Sequence, residues 1–202
     1  MGIQGKKIVI LTAHEFEDIE VMFSVLRLSE EGANVTVATL PLDAYGHFCT
    51  RPYWSGKPIT GRFGSTVPFY VLEEGRHWRH ISTDDLNVSD YDAVVITGGF
   101  APDYLRCSDK VLSFVAEMYK EKKIVAAICH GPWLFASTDC NMGTDIVRGR
   151  RVTSWLAVRD DLKNAGGIWS DDQPVIREDN VITSRCPDDL PDFCREIIKS
   201  LN

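Results

Sequence analysis

Four short apolar runs alternate with longer amphipathic ones over the first two thirds of the chain. KKIVILTA (6–13), NVTVATL (34–40), YDAVVITGG (91–99) and KIVAAIC (123–129) have the length of strands. EDIEVMFSVLRLSEEG (17–32) carries Ile19, Met22, Phe23 and Leu26 at helical spacing, with Gly32 as a stop. DKVLSFVAEMYKEKK (109–123) places Val111, Phe114, Val115 and Met118 on one face. Strands separated by helices cannot pair as tight hairpins. They predict a mostly parallel sheet covered on both faces, an α/β sandwich.

The remainder continues the pattern. A short helix is expected after HGPW, and RRVTSW (150–155) and a helix near 158–167 follow. A hairpin-like pair is expected around 174–184. The last helix, 188–201, aligns Leu190, Phe193, Ile197 and Leu201. Ligands of such sheets bind beyond the carboxyl ends of the strands. Three loops meet that condition: EFED (15–18), TGGFAP (97–102) and CHG (129–131).

Residues 41–82 interrupt the alternation with several glycines and prolines and with Phe48, Tyr53, Trp54 and Trp78. So aromatic a connection is no flexible linker. It reads either as a lid or binding element or as hairpins packed on an edge or a subunit contact. The 202 residues otherwise read as one domain, without internal repeats.

A net charge of −7 and the lack of any Lys/Arg stripe argue against nucleic acid as a partner. The single N-terminal apolar run is too short for a signal core or a membrane span, so a cytoplasmic location is expected. The six cysteines include no C-x-x-C pair, which argues against a zinc site and for free thiols. No metal or cofactor is expected.

The chemistry centres on AAICHGPW (126–133). Cys129 stands where a buried strand ends and a helix begins, and a tight turn there lifts a nucleophile clear of the backbone. Unpaired N–H groups at the helix start are expected to lower the thiol pKa. The opposing reading is a buried structural thiol. Attack on a carbonyl needs fixed donors for the resulting oxyanion. The His130 N–H and the backbone of Gly98 and Gly99 are the candidates.

AICHGPW, ITGGFAPDYLR, LTAHEFEDIE, VTSWLAVRDDLKNAG and ITSRCPDDL, in this order over nearly the whole chain, resemble the PfpI/ThiJ (DJ-one) superfamily, relatives of class I glutamine amidotransferases. The resemblance implies a flavodoxin-like three-layer sandwich with Cys129 on a nucleophile elbow. It implies a carboxylic acid at Glu17, the third letter of EFED, within reach of the sulfur as general acid/base. In the peptidase-like members the histidine after the cysteine pairs with an acid of a neighbouring subunit. Here that acid is Asp103, in GGFAPD where the family has GGRAPE, and a homo-oligomer is implied. Phe100 replaces the motif's arginine, so a charge near the pocket is expected to be missing. Phe100, Trp133 and Trp155 are the candidate substrate contacts. The tail SRCPDDLPDF has no histidine, which argues against ammonia transfer from glutamine.

The first functional expectation is a cofactor-free, glyoxalase III-like enzyme that turns a small 2-oxoaldehyde into a 2-hydroxy acid. Its alternatives are a PfpI-type cysteine peptidase or amide hydrolase, an isonitrile-hydratase-like hydration, and a non-enzymatic redox sensor or chaperone. A sensor needs an exposed, low-pKa thiol.

Overall fold

The computed structural model describes residues 2–47, 57–68, 75 and 78–202. The strands are β1 (Lys7–Thr12), β2 (Asn34–Thr39), β3 (Ile59–Thr60), β4 (Thr66–Val67), β5 (Trp78–Ser82), β6 (Ala93–Ile96), β7 (Ile124–Ile128), β8 (Arg151–Val152), β9 (Ile168–Trp169), β10 (Val175–Glu178) and β11 (Val181–Ser184). The helices are α1 (Asp18–Glu30), α2 (Ala101–Leu105), α3 (Asp109–Lys120), α4 (Pro132–Met142), α5 (Arg159–Asn164) and α6 (Leu190–Leu201).

Seven strands form one sheet in the order β10-β11-β7-β6-β1-β2-β5. Every neighbour pair is parallel except β10 with β11, the expected hairpin. The inner strands β6, β7 and β11 are buried along their whole length, as a sheet with helices on both faces requires. α1 and α6 pack together on one face, and α2, α3 and α4 cluster on the other. This is the flavodoxin-like α/β fold.

The chain runs from β1 outward to β2 and β5, then returns to lay β6 on the other side of β1. The order therefore reverses between β1 and β6, and a crevice opens beyond their carboxyl ends. The loops after β1 and β6 are tied there by a bridge between Phe16 and Gly99, and the Phe100 N–H donates to the Glu15 carbonyl at 2.8 Å.

One expectation is corrected. The apolar residues Ile19 and Leu26 of α1 face outward, 52% and 45% exposed, and Met22 and Phe23 are half-buried. The inward face is instead Glu20, Val21, Ser24, Val25 and Leu28. A buried carboxyl and a hydroxyl on that face hid the true periodicity. Within the 41–82 segment, Trp78–Ser82 is the edge strand β5. Residues 59–67 of the same segment form the hairpin β3–β4. Phe48, Tyr53 and Trp54 lie outside the described residues. Among the described residues no helix is long and apolar enough to cross a membrane.

Candidate active site

Cys129 follows the last residue of β7 and precedes α4, whose first residue is Pro132. Its φ is +59°, in the left-handed region that L-residues with a Cβ avoid. Two backbone bonds hold it there. The Cys129 N–H donates to the Ser184 carbonyl of β11 at 3.1 Å, and its carbonyl accepts from the Trp155 N–H at 2.9 Å. The parallel pairing of β7 with β11 thus fixes the elbow from one side, and the segment before α5 fixes it from the other.

The sulfur is enclosed: Cys129 is 6% exposed. A Cβ on Gly98 would stand 2.7 Å from the Cys129 Cβ and 3.1 Å from Sγ, so the residue must be glycine for the sulfur to occupy its place. Gly99, at φ +71°, lies so close to the Glu15 carbonyl that a Cβ would sit at 2.4 Å. The backbone N–H groups of Gly99 and His130 lie near the sulfur and favour its ionised form. The Gly98 N–H does not join them. It donates to Glu20 Oε2 at 2.5 Å, which removes Gly98 from the expected oxyanion donors.

The carboxyl beside the sulfur is Glu20, and Glu17 is not. Glu20 lies in the first turn of α1, is fully buried and stands beside the Cys129 side chain, whose ionisation it opposes. Glu17 caps the same helix and its Oε2 accepts from Arg62 Nη1 at 2.9 Å. Glu17 is the N-cap residue with extended backbone, whereas Glu20, three positions on, lies inside the helix and points under the elbow. Burial raises the Glu20 pKa to about 8, and the nearby Glu17 charge adds to the rise against the Gly98 N–H. The Cys129 thiol is also pushed well up, first by burial and then by Glu20. The helix start was expected to lower it, but desolvation outweighs the dipole here.

His130 Nδ1 lies 3.3 Å from Sγ. Burial, then the charge of Arg62, lowers its pKa, so the ring is neutral at pH 7 and able to take a proton. Trp133 and Trp155 flank the ring, with centroids at 5.1 and 6.3 Å. Trp133 is itself fixed by a bond from Nε1 to Asp161 Oδ2 at 2.8 Å. Asp103 is exposed at the start of α2, and no hydrogen bond or ion pair joins it to His130 within the chain.

Arg62 is the residue that sequence reasoning missed. The β3–β4 turn carries it over the Phe100 ring, with the guanidinium carbon 5.7 Å from the centroid. The charge expected to be lost with the motif's arginine is therefore restored from a different segment. Nothing local in ITGRFGSTV (59–67) marks this placement. Asp18 secures the turn by accepting from the Phe63 and Ser65 N–H groups, each at 2.9 Å, and from the Ser65 hydroxyl. His14 Nδ1 accepts from the Thr60 N–H at 3.1 Å.

The five described cysteines are free thiols. Among the described residues no group of three or more His, Cys, Asp or Glu side chains could hold a metal ion.

A mostly parallel sheet with a positive-φ cysteine turn one strand from its switch point, beside a buried carboxyl, defines a class of α/β proteins. The chain belongs to the DJ-1/PfpI family, whose model matches residues 6–200. It is 34% identical over 195 residues to Deglycase PfpI of Pyrococcus furiosus, covering 96% of this chain and 99% of that one. It is 34% identical over 201 residues to Protein/nucleic acid deglycase 2 of Escherichia coli, covering 98% of each. The crystal structure of Drosophila melanogaster DJ-1beta superposes with a TM-score of 0.74 at 23% identity, over 98% of this chain and 91% of that one. The relatives' names fit a cysteine-dependent enzyme.

Proposed function

We propose that the protein is a cofactor-free, cysteine-dependent enzyme that converts small 2-oxoaldehydes to 2-hydroxy acids. The observation that carries this reading is the enclosed sulfur of Cys129 held between Glu20 and neutral His130. An enclosed sulfur suits a small carbonyl compound better than an extended peptide, and so favours this reading over the peptidase. Low exposure disfavours the redox sensor.

In this scheme Sγ adds to the aldehyde carbon while His130 Nδ1 takes the thiol proton. The oxygen that becomes negative receives the Gly99 and His130 N–H groups and then the proton held by His130. The carboxylate form of Glu20 removes the remaining hydrogen from the former aldehyde carbon, giving an enediolate whose charge lies on the neighbouring oxygen. Glu20 returns that proton to the neighbouring carbon while His130 carries the hydroxyl proton from the first oxygen to the second, which leaves a thioester of the 2-hydroxy acid. Water cleaves the carbon–sulfur bond, and the thiol regains its proton. The sum is one 2-oxoaldehyde plus one water to one 2-hydroxy acid, with no external oxidant or reductant. The raised pKa of Glu20 makes its carboxylate a stronger base for the carbon-bound hydrogen. Asp103 of a second copy serves as the acid behind His130, which makes the working form a homo-oligomer.

The deglycase names of the relatives favour a second substrate form. Where the aldehyde carbon is already joined to an amine as a hemiaminal, Sγ displaces the amine. The carbon–sulfur bond forms as the carbon–nitrogen bond breaks, and the thiol proton leaves with the amine through His130. The later steps are unchanged.

Incubation with methylglyoxal, without glutathione or metal, tests the reading. Lactate formed by the unmodified protein and absent with Glu20→Gln supports it. Lactate from neither protein rejects it.

A further inference from the structure

The geometry points to Arg62 as a specificity-determining residue that binds an anionic group of the substrate, in practice a carboxylate close to the reacting carbon. This rests on Cys129 being the reacting group and deepens the proposed function by naming a substrate class: carbonyl compounds that carry a carboxylate.

Three observations carry it. Arg62 is half-exposed, 44% for the side chain, whereas its partner Glu17 is only 11% exposed. Glu17 therefore holds the guanidinium from beneath and leaves its outer edge open. A guanidinium has five N–H donors in a planar fork, and Glu17 occupies only the Nη1 side. Phe100 and Phe63 lie at 5.7 and 5.9 Å from the guanidinium carbon and limit its swing. A donor fixed in this way loses little entropy when it binds a carboxylate.

The hairpin is also built to hold Arg62 in place. The Arg62 N–H donates to the Phe16 carbonyl at 2.9 Å, and the Thr60 carbonyl accepts from the Glu15 N–H at 2.7 Å. Those bonds tie the turn to the same loop that bridges Gly99 beside the sulfur. The charge of Arg62 is felt by both His130 and Glu20, the two groups flanking Sγ. Arg62 thus overlooks the reacting centre from the rim.

Alkylation of Cys129 separates this role from the reaction chemistry. Iodoacetate and iodoacetamide have the same leaving group and nearly the same size, but only iodoacetate is an anion. Their rates at Cys129, resolved by peptide mass spectrometry from those at Cys107, Cys140 and Cys186, give a ratio. Any change in thiol ionisation affects both reagents and cancels. Arg62→Gln should lower the iodoacetate-to-iodoacetamide ratio about tenfold, the worth of one charged hydrogen bond, and Arg62→Lys by less because it keeps the charge without the fork. An unchanged ratio in Arg62→Gln overturns the inference, whether both rates fall together or neither does. A lowered ratio with no lactate from methylglyoxal would leave Arg62 as an anion site and remove only the proposed reaction.

Discussion

The elbow at Cys129 and the hairpin carrying Arg62 border the same crevice but are fixed by different means. The elbow is held by backbone: two strand-end hydrogen bonds, a positive φ and a neighbour without a side chain. The hairpin has two backbone bonds to the loop after β1, and its turn is secured in addition by side chains, the Asp18 carboxylate and the His14 ring. Backbone fixing tolerates almost no change of shape. Side-chain fixing can be weakened by one atom while the fold survives. The sulfur of Cys129 has the stiffer support, and Arg62 the more adjustable one.

Substitutions on the two sides should therefore differ in kind. The largest effect is expected for Cys129→Ser, which should reduce lactate formation at least ~10³-fold while leaving the circular dichroism spectrum unchanged. Survival of most activity would break the assignment of the nucleophile. Next comes Gly98→Ala, whose Cβ would stand 2.7 Å from that of Cys129. It should cost about 1–3 kcal/mol in chemical denaturation and lower kcat, since the elbow cannot yield. Asp18→Asn should cost less, on the order of 1–2 kcal/mol, by weakening bonds to the Phe63 and Ser65 N–H groups. Its signature is a raised KM with kcat held, the reverse of Gly98→Ala. If Asp18→Asn lowers kcat instead, the hairpin is as much a part of the reacting centre as the elbow.

A pH-dependent effect sharpens the electrostatics. The Glu20 pKa is raised from 4.5 unfolded to about 8 folded. Between those values the folded chain binds more protons than the unfolded chain, so this group's contribution to stability falls as pH rises. It is fully present below pH ~4.5 and lost through pH ~8. His14 and His130, both lowered, act in the opposite sense near and below pH ~6.5. Glu20→Gln should leave the histidine contribution and remove the decline. The thermal midpoint of the variant minus that of the parent should therefore increase from pH 5 to pH 8. A flat difference would mean that Glu20 titrates normally.

Much of this architecture is legible in the sequence. The strand-turn-helix signature of KIVAAICHGPW states its own geometry within eleven residues, and the turn glycines of ITGG sit where the parallel pairing brings them. The carboxyl was harder. Glu17 and Glu20 differ by less than a helical turn, and the apolar stripe of Ile19, Met22, Phe23 and Leu26 suggests the wrong inward face. A buried carboxyl is rare enough that pattern reading assigns it to solvent. Arg62 was not legible at all. Its partner Glu17 is 45 residues away, and no local periodicity records a contact at that separation. Strand β5 was hidden similarly, since WRHIS (78–82) mixes charged and apolar residues as an edge strand can.

The positive φ of Cys129 has a consequence for anyone who breeds this protein for endurance. A left-handed conformation costs a residue with a Cβ about 1–2 kcal/mol, and glycine escapes that cost. A library varied at position 129 and sorted only by survival at high temperature should accumulate glycine and asparagine. The hardiest clones would then be inert. At this one position, selection for durability and selection for chemistry pull in opposite directions, so a useful screen must assay turnover alongside heat.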